Sequence, residues 1–148
     1  MTYFPDLTPY RFISQYAEPN TLNVGWLDQS QTFNTGITST EFHSRLAQFC
    51  LCLVLPTRGF HFCNICREPS PAMNDSHQMG LGSAEIRVFF NEIVYAAPNL
   101  IYHYVIVHAY KPPDAFIEAV LRGFLPQTSE YDELINRLGV DYRFISFD

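Results

Sequence analysis

EIRVFFNEIVYAAPNLIYHYVIVHAYKPP, residues 85–113, carries the reading of the fold. Glu85–Phe90 and Ile93–Tyr95 are β-prone runs separated by Asn91-Glu92, the pattern of a hairpin. Pro98 suits the first turn of a helix, and the apolar stretch Leu100–Tyr110 is long for a strand and ends at Pro112-Pro113. Ile101, Tyr102, Val105, Ile106 and Val107 pull toward strand, but length favours helix. A hairpin that feeds a helix is therefore expected at the centre of the chain.

Upstream, RGFHFCNICREPSP places close cysteines in a tight turn or knuckle, and residues 69–84, PSPAMNDSHQMGLGSA, read as a mobile loop poor in bulky apolar side chains. Thr38 with Glu41 is a capping-box pattern, and Phe42, Leu46, Phe49 and Leu53 recur at helical spacing up to Pro56, predicting a helix over 39–54. Residues 1–37 are punctuated by Pro5, Pro9, Pro19, Gly25 and Gly36, which leaves room for an irregular lid or short strands anchored by Tyr10, Trp26 and other aromatics. Downstream, Asp114–Arg122 is amphipathic and stops at Gly123; a second helix starts at Ser129 and stops at Gly139; VDYRFISFD reads as a closing strand. The expected architecture is one α+β domain over residues 1–148, with a small antiparallel sheet, three or four helices and a zinc knuckle.

The chemistry-bearing residues lie in the same region. Cys63 and Cys66 are spaced to grip one tetrahedral ion from a knuckle, and His103 and His108 supply the second pair of a Cys2His2 zinc site. The chain order of knuckle, hairpin and ligand-bearing helix is treble-clef-like. Residues five apart point about 140° from each other on a regular helix, so either the helix end unwinds or only one His binds. His61 is then the substitute ligand, with His43 and His77 behind it. Two alternatives stay open: reduced structural thiols, and a redox pair, which would want a cysteine at a helix N-terminus. Cys50 and Cys52 point about 200° apart on the expected helix, cannot share an ion, and read as core residues.

Other signatures exclude rather than assign. No Gly-x-Ser-x-Gly elbow, phosphate-cradling Gly-rich loop or His-Glu-x-x-His occurs; GLGS at 80–83 reads as a small-residue loop, and Glu85 with Glu92 as hairpin surface charges. Asp6 and Asp28 have no identifiable partner in the sequence. A net charge of -6 disfavours nucleic acid, whose phosphates need a cationic surface. Downstream of Lys111 the acids Asp114, Glu118, Glu130, Asp132, Glu133, Asp141 and Asp148 outweigh Arg122, Arg137 and Arg143, which favours a basic protein partner. The opening MTYFPDLTPYRF lacks a signal-peptide pattern and no apolar run is long enough to span a bilayer, so a soluble, cytoplasmic protein is expected.

RGFHFCNIC, EIRV and VYAAPNLIYHYVIVHAYKPPDAFIEAVL, with YFPDLTPY and NVGWLD, resemble a family of small uncharacterised bacterial proteins, from the start to about residue 121. The resemblance implies Cys63, Cys66, His103 and His108 as family features and carries no activity. Small acidic orphan proteins of this kind are often immunity partners of interbacterial toxins. The leading expectation is thus a non-catalytic protein-binding module, an immunity protein that blocks a toxin; the alternatives are a zinc-dependent enzyme and a thiol-based sensor.

Overall fold

Asn91 and Glu92 both have positive φ, 50° and 64°, the backbone that a two-residue hairpin turn of right-handed twist requires. They join β3 (Glu85–Phe90) to β4 (Ile93–Pro98) in antiparallel register, Phe90 opposite Ile93 and Glu85 opposite Pro98. A computed structural model describes residues 3–10, 20–66, 75 and 78–145 of the chain. Around the hairpin it adds β1 (Thr21–Asn23), α1 (Thr40–Cys50), β2 (Cys52–Val54), α2 (Ile101–His108), α3 (Asp114–Arg122), α4 (Ser129–Leu138) and β5 (Tyr142–Phe144). The fold is α+β, with a five-stranded sheet in the order β1-β4-β3-β2-β5 and, among the described residues, four helices. The sheet is mixed rather than purely antiparallel, because β1 runs parallel to β4, Thr21 opposite Val94. A parallel pair needs a long crossover, and α1, β2 and β3 lie within this one.

The pleat of the hairpin sorts the two layers. Ile86, Val88, Tyr95 and Ala97 belong to the main core with Phe42, Leu46 and Phe49 of α1 and with Phe116 of α3, whose ring meets Tyr95 edge-on at 5.8 Å. The opposite side of the sheet carries Glu85, Arg87 and Ala96, covered by Tyr10 and Trp26; the Trp26 indole N–H donates to the Ala96 carbonyl at 3.0 Å. Arg87 is fully buried, and its Nη1 donates to Glu85 Oε1 at 2.9 Å. The Tyr10 hydroxyl donates to the same oxygen at 3.0 Å, beneath an arginine that stacks on its ring. A buried charge is tolerable only when paired in this way. Burial and the Glu85 charge together hold the Tyr10 phenol well above its ordinary pKa. Glu85 is therefore not the surface charge expected of it, whereas Glu92 is exposed at the hairpin tip.

Several boundaries differ from the sequence expectation. The helix predicted over 39–54 ends at Cys50, and Cys52–Val54 forms β2, paired with β5 and, at Val54, with β3. Its N-cap is Ser39, whose side chain accepts from the Phe42 N–H; Thr38 instead contacts the His43 ring. Pro98 closes β4 instead of opening a helix. Asp6 and Asp28 do find partners: Asp6 accepts from the Gly25 N–H and the Tyr110 hydroxyl, Asp28 from Ser30 and Asn64. Cys50 and Cys52 are fully buried core thiols, and burial raises their pKa values to about 12 and about 11.

Candidate metal centre

Asn99 is the joint from which the site hangs. It directly precedes the first capping residue of α2, is fully buried, and its amide nitrogen donates to the Gly80 carbonyl at 3.0 Å while its Oδ1 accepts from the Gly82 N–H at 2.7 Å. Its backbone N–H donates to the Ala84 carbonyl at 2.9 Å. The 80–84 segment so fixed becomes a rail for the knuckle: the His61 N–H donates to the Gly82 carbonyl and the Thr57 N–H to the Ser83 carbonyl, both at 2.7 Å. Gly82 has φ +90° and lies so close to the knuckle that a Cβ there would sit 2.2 Å from the His61 carbonyl oxygen. Only glycine fits both the backbone angle and the approach. Leu81, Gly82 and Ser83 are buried, so this end of the expected mobile loop is fixed; residues 69–74, 76 and 77 lie outside the described residues.

A second tie holds the knuckle from outside. Asn64, between the two cysteines, donates to Asp28 Oδ1 at 2.7 Å and accepts from the Gln29 N–H at 3.2 Å. Hydrogen bonds from Ser30 and then Asn64 keep the Asp28 carboxyl below its usual pKa. The knuckle is thus bonded along both flanks before any ligand atom is considered.

Four side chains converge where the knuckle meets α2. The ligand atoms of Cys63, Cys66, His103 and His108 all lie within 4.8 Å of one another and could hold a metal ion. Cys66 Sγ stands 3.2 Å from His103 Nε2 and 3.3 Å from His108 Nε2, and Cys63 Sγ is 3.4 Å from His108 Nε2. Tetrahedral zinc, with bonds of about 2.3 Å to sulfur and 2.0–2.1 Å to nitrogen, sets sulfur and nitrogen about 3.6 Å apart. The three separations are close to that edge. Ordinary hydrogen bonding accounts for them less well, because an imidazole Nε2 has one proton or one lone pair and His108 Nε2 faces two sulfurs.

The two histidines meet despite their spacing, their ring centroids 5.2 Å apart. α2 stops at His108: Ala109 is left-handed at φ 55°, and the Ala109 and Tyr110 N–H groups both donate to the Tyr104 carbonyl, widening and closing the last turn. A non-glycine residue in that conformation is strained, and here it ends the helix directly after His108. His61, the substitute ligand of the sequence reading, is exposed and outside the cluster; His43 is on α1 and bonded to Thr38, and His77 lies outside the described residues.

Burial sets the protonation of the site. It pushes the Cys63 thiol up to about 11 and lowers His108, so near neutral pH Cys63 is a thiol and His108 a neutral imidazole with a lone pair to give. Coordination converts thiols to thiolates, and the displaced protons make affinity fall as pH falls. The proton that Cys63 releases predicts a loss of at least about tenfold in apparent affinity from pH 7 to pH 6, measured by competition with a chromophoric chelator; an affinity independent of pH would contradict thiolate ligation.

Sequence reasoning located all four clustered residues and missed what positions them. Gly82 and Asn99 had signals, a GLGS run and an Asn before a helix, but neither pattern is specific without the third dimension. No helix among the described residues is long and apolar enough to cross a membrane. No curated protein and no solved structure matches the chain. A family model described as Domain of unknown function (DUF7919) matches residues 2–121, a span that includes the knuckle, the hairpin and α2. On that match the chain belongs to the DUF7919 family.

Proposed function

We propose that Cys63, Cys66, His103 and His108 hold one structural zinc ion, and that the chain is a non-catalytic protein-binding module. The observation that supports this reading is the convergence of four potential ligand atoms from two elements within 4.8 Å of one another, the number that a closed tetrahedral shell takes. A catalytic zinc keeps a position open for water, and thiolate with imidazole is a donor set suited to zinc. The zinc-dependent enzyme is disfavoured on the same ground.

The most concrete form of the module is a cytoplasmic bacterial immunity protein that binds and blocks a cognate toxin. Its support is the acidic surface of α3 and α4, where Asp114, Glu118, Glu130 and Glu133 are exposed and Arg122 and Arg137 offset only Glu118 and Glu133. Exposed Phe60, Phe62 and Phe124 add aromatic side chains of the kind that anchor interfaces. Co-expression with the product of the adjacent gene tests it. Toxicity that this chain relieves, with the two proteins co-purifying, is the expected result; no toxicity, or toxicity without relief, overturns the immunity reading and leaves the zinc reading to its own test.

A further inference from the structure

The described arginines of this acidic chain separate into two groups. Arg87, Arg122 and Arg137 pair with Glu85, Glu118 and Glu133, and Arg45 donates to the Val120 and Gly123 carbonyls, both at 2.6 Å. Among the described residues, the side chains of Arg58 and Arg143 have no such partner, although acids outnumber bases 15 to 9 along the chain. Both line one pocket of about 430 Å³, between the start of the knuckle and the edge strand β5. Among the described residues, no carboxylate lines it. Leu53, Phe60, Phe144 and Ile145 supply its apolar surface, with Phe60 48% exposed.

We propose that this pocket is a binding site for a phosphomonoester carried on an aromatic or apolar body. A phosphomonoester has nearly two negative charges at neutral pH, and two guanidiniums match both that charge and its oxygen geometry better than they match one carboxylate. The apolar lining gives the body of the ligand a place that inorganic phosphate cannot use. The volume falls in the range of about 300–1,000 Å³ usual for small-ligand sites. The walls are held in advance: Thr57 and His61 are bonded to Ser83 and Gly82, and β5 to β2 through Leu53 opposite Arg143. Preorganisation of this kind lowers the entropic cost of binding.

The test is a titration of the zinc-loaded full chain with phenyl phosphate, followed by amide chemical shifts, beside inorganic phosphate and the Arg58→Ala/Arg143→Ala double variant. Expected are saturable shifts at Arg58, Phe60, Arg143 and Phe144, at least tenfold weaker binding by the double variant, and weaker binding of inorganic phosphate. Both arginines are exposed, so the variant is expected to keep its fold and metal; zinc content and melting temperature of the same samples verify this, and Arg58→Gln/Arg143→Gln repeats the comparison if they change. No shifts at these residues up to ~10 mM phenyl phosphate, a millimolar Kd being already weak, overturns the proposal. So does equal affinity in the double variants, or equal binding of inorganic phosphate.

Discussion

Cys63→Ser is expected to abolish tight zinc binding and to lower the melting temperature by roughly 8–16 °C. The size follows from linkage. An ion present at a thousand times its dissociation constant stabilises the folded chain by about 4 kcal/mol. In a domain of this size each kcal/mol moves the melting temperature by about 2–4 °C. Cys63 is 4% exposed and joins the main core, so serine also places a hydroxyl where a thiol is packed. The comparison that isolates the metal is thermal melting of the parent chain with and without a strong chelator. The chelated parent should lose nearly as much stability as the variant, and chelator should leave the variant unchanged. An ion that can be stripped with the melting temperature intact would contradict a structural role.

Gly82→Ala is the second large effect, and it touches no ligand. The added methyl would sit 2.2 Å from the His61 carbonyl oxygen, at a backbone φ of +90°. Backbone strain alone costs about 1–3 kcal/mol. The clash is with backbone, so relief requires the knuckle to move off its rail, taking Cys63 with it. Metal affinity should then fall by about 10–100-fold, as for other residues that orient ligands from behind. Gly59→Ala, in the same knuckle with open space around the new methyl, is the control and should alter neither stability nor affinity appreciably. Unchanged zinc affinity in Gly82→Ala would show that the rail does not set the ligand geometry.

Cys63 and Gly82 separate what was legible in the sequence from what was not. The grouping of Cys63, Cys66, His103 and His108 could be read directly, because a ligand pattern restricts residue type and spacing together. The hairpin and the helices at Asp114–Arg122 and Ser129–Leu138 were also legible, since turn residues, amphipathic spacing and caps are local signals. Cys52–Val54 was not: all three residues are buried, and a short run buried on every side has no period to separate strand from helix. Glu85 was misplaced for a related reason. A charged residue on a strand reads as solvent-facing until a buried Arg87 and the Tyr10 hydroxyl, 75 residues away in sequence, are found beside it. Gly82 and Asn99 belong to the same class, since their importance lies in contacts with His61, Gly80 and the start of α2 that no local pattern encodes. The 140° that separates residues five apart on a regular helix left the pairing of His103 with His108 open, and the structure brings their rings to 5.2 Å from each other at the end of α2.

Zinc-edge X-ray absorption on the purified chain, with total metal analysis of the same sample, tests the four-ligand zinc site. Expected is about one zinc per chain, in a four-coordinate shell of two sulfurs at ~2.3 Å and two imidazole nitrogens at ~2.0 Å. A chain that purifies and folds without metal, or a shell containing water oxygen in place of one of these four ligands, would contradict it.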